Sequence, residues 1–177
     1  MNECICCKIA GGSGEGYQKL VVELEGGWVL NHYFTEGGTF LGRLVIVTKA
    51  HRVDWGYLSS EELKTLGINI QRINNSLRQY WAINYPEDQI ELVHVAYLNE
   101  SPYIECKIEE ELLQSLHVHL HLLTRTKAIR ENLNCCIKQI GWHLEDELLK
   151  FPKYLKVNNR EDVEVIKLMN HLKSCLE

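Results

Sequence analysis

Leu116-His117-Val118-His119-Leu120-His121-Leu122-Leu123 is the stretch of this chain whose reading decides its fold. Three histidines alternate with apolar residues. Successive side chains of a β-strand point to opposite faces of the sheet. The spacing therefore predicts a strand with Val118, Leu120 and Leu122 facing a core and His117, His119 and His121 on the other side. Three imidazoles at alternate positions do not suit one metal ion. Side chains two residues apart are separated by about 6.6 Å and those four apart by about 13 Å, against a zinc–nitrogen bond of about 2.1 Å. At most two of them, and on geometric grounds one, would ligate a given ion. The rest are left for phosphate or acid–base chemistry.

Outward from this strand, the chain divides by periodicity. Lys19 to Glu25 alternates, Gly26-Gly27 breaks it, Trp28 to Phe34 is a second apolar run, and Phe40 to Val47 a third. Short glycine breaks between apolar runs favour antiparallel hairpins. Ser59, with Glu62 three residues on, is a capping-box pattern. It opens a long helix to about Ile83, with Leu63, Leu66, Ile70, Ile73, Leu77 and Trp81 spaced by three or four. Ile90 to Leu98 is a further strand. A terminal helix is expected from Asn159 as N-cap, with Val163, Ile166, Met169, Leu172 and Leu176 on one face. Strands, one long helix, two more strands and then helices make an α+β layout around an antiparallel sheet. The division expected is a main domain over 1–131 and a helical extension over 132–177 packed on the same domain.

Composition sets bounds. The chain has 177 residues, 45% hydrophobic and 24% charged, with a net charge of −5. That is a globular mix, and the charge argues against a duplex nucleic-acid surface. No uncharged apolar run approaches the roughly 20 residues of a membrane-spanning helix. The first residues carry neither a basic flank nor an apolar core, so no export signal is read there. Seven cysteines, an odd number, then suggest reduced thiols in a cytoplasm and metal binding rather than a disulfide framework.

His117-Val118-His119-Leu120-His121-Leu122-Leu123 resembles the signature of the histidine-triad superfamily. Cys4-Ile5-Cys6-Cys7-Lys8-Ile9 is similar to the Cys-x-x-Cys-Lys-Ile start of many bacterial members. Leu44 to His51 resembles their strand ending in Pro-Lys-x-His. Leu58-Ser59-Ser60-Glu61-Glu62-Leu63 resembles the opening of their long helix, and Leu98-Asn99-Glu100 their Asn-Glu pair. These segments span roughly residues 4–125 in the family's order.

The resemblance implies a nucleotide-binding α+β domain, usually a homodimer, that cleaves or transfers at a nucleotide α-phosphate. His119, the middle histidine, is then the nucleophile that carries the nucleotidyl group. A neutral imidazole, with an unperturbed pKa near about 6.5, is a competent nucleophile at neutral pH. It needs one ring nitrogen held so that the other faces phosphorus. His121 is implied to contact phosphate oxygens and assist the leaving group. In the superfamily, including its galactose-1-phosphate uridylyltransferase branch, zinc is held by a cysteine pair, the histidine ending the strand and the first triad histidine. The matching set here is Cys4, Cys7, His51 and His117. Cys4 or Cys6 could each pair with Cys7, and the Cys-x-x-Cys spacing favours Cys4.

Departures from the family pattern mark the substrate side. Gly42-Arg43 stands where many hydrolases have Gly-His, and Arg43 is a candidate phosphate ligand through its fork of donors. Gln114 and Ser115 replace a glycine-containing polar approach to the triad, after an acidic run over 105–111. Asn31 and His32 lie where the family's second strand touches the nucleotide, and Asn99 is a further candidate for phosphate. The expected ligand is a nucleotide or nucleotide conjugate. The alternative expectation is a zinc-stabilised nucleotide-binding or interaction module with little turnover.

Overall fold

The computed structural model describes residues 4–12, 20–34, 38–97, 116–132 and 153–177. In chain order the elements are α1 (Ile5–Gly11), β1 (Val22–Leu24), β2 (Trp28–His32), β3 (Thr39–Phe40), β4 (Arg43–Thr48), α2 (Ser60–Asn84), β5 (Ile90–Ala96), β6 (His119–Thr126), α3 (Lys127–Asn132), β7 (Lys156–Val157) and α4 (Val163–Leu176). Five strands form one antiparallel sheet in the order β1-β2-β4-β6-β5. This is the α+β layout that the alternating patterns predict.

Alternation sorts the strand residues between two faces. Leu30, Leu44, Ile46, Leu120 and Leu122 point into the main core, where Ile73, Leu77 and Trp81 of α2 meet them. Val29, Val45 and Val47 point the other way, into a small cluster under α1 with Cys4, Cys6 and Ile9. In register, Val47 lies opposite His119 and Val45 opposite His121. The histidines and the cysteine helix thus share one side of the sheet.

The long helix starts where the capping box places it. The Ser59 hydroxyl accepts the Glu62 N–H at 3.1 Å, and the Glu62 carboxylate accepts the Ser59 N–H. Its buried stripe runs through Leu66, Ile73, Leu77 and Trp81, whereas Leu63 lies outside it, half-exposed. Gly42, at φ +83°, precedes β4 because a Cβ there would meet the Thr124 side chain at 2.5 Å and Trp81 at 2.8 Å.

The end of the chain differs from the expectation. The N-cap of the last helix is Asp162, whose carboxylate accepts the Glu164 N–H at 3.0 Å. Asn159 closes a turn just before it, accepting the Glu161 N–H at 2.9 Å. The inward residues are Val165, Leu168, Met169, Leu172 and Leu176, while Val163 and Ile166 face solvent. A run of steps of three falls behind the 3.6-residue turn, so a stripe started at exposed Val163 reaches the buried face only at Met169. α4 packs on α2 and β1. Its end is tied down twice: the Glu177 carboxylate accepts the Glu23 N–H at 3.2 Å, and Arg72 donates to the Leu176 carbonyl at 2.7 Å. β7 pairs with β3, Val157 opposite Thr39 and Lys156 opposite Phe40, a link that no local pattern announces.

Candidate functional site

Cys4 and Cys7 come from the start of α1, His51 from the turn after β4, and His117 from the approach to β6. Their ligand atoms all lie within 4.8 Å of one another. His117 Nδ1 is 3.4 Å from Cys4 Sγ and 3.5 Å from Cys7 Sγ, and His51 Nδ1 is 3.2 Å from Cys7 Sγ. Tetrahedral zinc with bonds of about 2.1–2.3 Å has ligand–ligand edges of roughly 3.4–3.8 Å. The four atoms fit such an ion with small adjustments. Cys6 is buried in the cluster behind them and is not one of the four.

The far side of His117 fits the same group. The Thr48 hydroxyl donates to the Ala50 carbonyl at 2.8 Å. Its oxygen can then only accept from His117 Nε2, at 2.9 Å, beside the Thr48 carbonyl at 3.0 Å. With the proton on Nε2, the lone pair of Nδ1 points at the two thiols, the tautomer a metal ligand needs. The thiols are unequal. A hydrogen bond from Cys6, then His117 and the Cys7 backbone, outweighs burial and holds Cys4 well below the ordinary thiol range. Burial first, and then the charge on Cys4, pushes Cys7 up. The pair therefore favours one thiolate by itself, and a bound divalent cation would ionise both.

Two residues along, His119 Nδ1 lies 2.8 Å from the His117 carbonyl. A nitrogen facing a carbonyl must donate to it, which fixes the tautomer and leaves the Nε2 lone pair directed away. His119 is half-buried, and its ring meets that of His121 edge-on, with centroids 5.2 Å apart. His121 has 0% exposure. The Tyr33 ring meets it in a T-shaped contact, centroids 4.7 Å apart, and the Arg43 guanidinium stacks over the Tyr33 ring at 4.4 Å. Asn31 lies opposite Val45, which lies opposite His121, so all three share one row and one face. Asn31 is also at 0% exposure, and among the described residues neither its amide nitrogen nor its oxygen has a hydrogen-bond partner.

His32 does not join this group. It follows Asn31 on the strand and points to the opposite face, stacked on Phe34 with centroids 4.7 Å apart. Nδ1–H donates to the Tyr33 carbonyl at 3.1 Å, and Nε2 accepts the Gly42 N–H at 3.3 Å. Burial, and to a smaller extent the nearby Arg43 charge, outweighs the Tyr33 hydrogen bond and lowers its pKa to about 3. It is a neutral, satisfied residue of the core. Asn99, Gln114, Ser115 and the acidic run over 105–111 lie outside the described residues.

Tyr33 and Thr48 were not singled out by the sequence. Tyr33 was within reach, being two residues beyond Asn31 and hence on the same face. Nothing local marks Thr48, whose partner is 69 residues away.

Similarity of fold agrees with this geometry. A uridylyltransferase structure superposes with a TM-score of 0.58 at 16% identity, covering 98% of this chain and 45% of that one. A zinc-bound histidine triad family protein from Mycobacterium smegmatis superposes at 0.50, with 16% identity over 98% of this chain and 92% of the other. A hypothetical histidine triad nucleotide-binding protein from Sulfolobus tokodaii gives 0.53, with 13% identity over 98% and 91%. The chain has the histidine-triad fold. It spans less than half the length of the uridylyltransferase it matches. No protein-family model and no curated protein matches the sequence. Cys4, Cys7, His51 and His117 form a group that could hold a metal ion.

Proposed function

We propose that the protein binds a nucleotide or nucleotide conjugate and acts on its α-phosphate, with His119 as the nucleophile. The observation that carries this reading is the His119–His117 hydrogen bond at 2.8 Å, which leaves Nε2 as the free base. In the first step Nε2 attacks phosphorus, the bond from phosphorus to the leaving group breaks, and the leaving group departs with a proton. In the second, water or another acceptor attacks the nucleotidyl-histidine and displaces the imidazole. His121 and Arg43 meet the phosphate oxygens, and His121 assists protonation of the leaving group. The amide of Asn31 receives a polar group of the nucleoside, which would answer its unpartnered atoms. Asn99, Gln114 and Ser115 complete the phosphate site in this reading. His32 is left out, since its ring nitrogens are already engaged.

Cys4, Cys7, His51 and His117 would hold one zinc ion, closed to water. Bound there, zinc supplies a crosslink between α1, the turn after β4 and the start of β6, and no Lewis-acid step. His117 shares one peptide carbonyl with the tautomer lock on His119, so the metal centre and the nucleophile are mechanically joined. A homodimer belongs to the same proposal, with the edge strand β5 offering half-exposed Leu92 and Val95. So does a cytoplasmic location. Among the described residues, no helix is long and apolar enough to cross a membrane.

One observation favours a second reading, a nucleotide-binding or interaction module with little turnover: His121 is sealed beneath Tyr33. The test is incubation with nucleoside phosphoramidates and dinucleoside polyphosphates, followed by mass spectrometry. The enzyme reading expects a nucleotidyl adduct on His119. Nucleotide binding without an adduct from any substrate would put the module in its place.

A further inference from the structure

The segment between the end of β4 and α2 meets the triad strand at three points. Thr48 accepts from the His117 ring, His51 sits among the candidate metal ligands, and the Arg52 carbonyl accepts the Val118 N–H at 2.6 Å. Val118 lies between the first two triad histidines, so Arg52 fixes the backbone on which both are carried. The Arg52 side chain runs the other way. Its Nε lies 3.3 and 3.2 Å from the two Glu62 carboxylate oxygens. Glu62 is only 4% exposed, and it is itself the capping residue of α2. The Glu62 carbonyl further accepts the Trp28 indole N–H at 2.9 Å. A rigid 25-residue helix and the central sheet therefore converge on the residue that grips Arg52.

We infer that the Arg52–Glu62 ion pair positions the metal ligands: it anchors the turn bearing His51, and with it the start of the triad strand, to the N-terminus of the long helix. Arg52 touches neither ligand nor substrate and acts through its neighbours. An exposed ion pair would contribute little. This one differs because the carboxylate is buried and both of its oxygens are engaged. Removing the guanidinium frees the turn to move His51 and the Val118 N–H away from the cysteine pair. Groups that orient a metal ligand from behind commonly change metal affinity by about 10–100-fold. The inference rests on the zinc reading of the Cys2His2 cluster.

Zinc affinity, measured by competition with a chromophoric chelator on the full chain, tests it without reference to activity. Arg52→Leu should weaken zinc binding by about 10-fold or more. Arg52→Lys keeps a positive charge facing Glu62, which Arg52 meets through the single Nε atom, and should recover most of the affinity. Glu62→Gln retains an acceptor for the Ser59 N–H, and should weaken zinc in the same direction if Arg52→Leu fails to fold. Melting of the zinc-free and zinc-loaded forms supplies the second readout, and Arg52→Leu should lower the loaded form more. Equal lowering of both forms, with zinc affinity unchanged, would reduce the pair to a structural brace and overturn the inference. A wild type that holds no zinc would overturn the metal reading itself, and this inference with it.

Discussion

The two faces of the central sheet are made by the same strands and do opposite things. One face presents Leu30, Leu44, Ile46, Leu120 and Leu122 to a broad apolar layer built by α2 and α4. The other presents three valines to a short cysteine helix and then turns polar, with Asn31, Arg43, His119 and His121 in adjoining positions. Strand alternation lets one sequence supply both. On β6, His119-Leu120 and His121-Leu122 each place one group in the candidate site and one in the core. The first face holds the fold together by area. The second relies on a few small contacts and, in our reading, on a metal ion. The two should therefore fail separately.

The sharpest way to expose that division is His119→Ala. Turnover and the nucleotidyl adduct should vanish, while zinc content and melting temperature stay at wild-type values, because His119 is outside the ligand set. Retention of wild-type turnover would remove His119 from its proposed role. Next in size is Cys4→Ser, which should release zinc and loosen the second face, whereas Cys6→Ser should keep it. Metal analysis of protein purified without chelator reads both. The opposite face is addressed by Leu122→Ala, a fully buried side chain. It should cost about 2–5 kcal/mol in denaturant unfolding, as large-to-small core changes do, with zinc affinity little altered. If Leu122→Ala instead strips zinc, the faces are coupled and the comparison fails.

The smallest expected effect concerns pH. His32 is a buried polar residue on the apolar face, with its pKa lowered from 6.5 to about 3. The unfolded chain binds a proton there that the folded chain refuses. The stability held by neutral His32 is thus present above pH 6.5 and lost as pH falls from 6.5 toward about 3. The slope for one such proton reaches at most about 1.4 kcal/mol per pH unit. His32→Gln should flatten that part of the stability–pH curve, and unfolding series from pH 7 to 5 would measure the difference. An unchanged slope would show that His32 is not buried neutral.

Features set by local spacing were legible in the sequence. The alternation of the triad put Val118 and His119 on their proper sides, and the Ser59–Glu62 pattern placed the start of the long helix. The cysteine pair and the two histidines were legible as a set of types, and the fold brings them together. Features set by distant partners were not. The β3–β7 bridge joins residues more than a hundred positions apart, and the capping-box pattern at Glu62 does not announce its pairing with Arg52. His32 differs again. Its neighbourhood with Asn31 in sequence suggested a shared pocket, yet alternation sends adjacent residues to opposite faces.

The seating of the last helix against the first strand has a consequence for how the molecule is made. Glu177 binds the backbone of Glu23, and Arg72 binds the carbonyl of Leu176. Contacts between residues so far apart close late, because the intervening chain must be ordered before they form. During synthesis the edge of β1 and the flank of α2 stand bare until α4 has been made. A nascent chain stopped short of residue 163 carries an uncovered apolar flank that invites chaperone capture or aggregation.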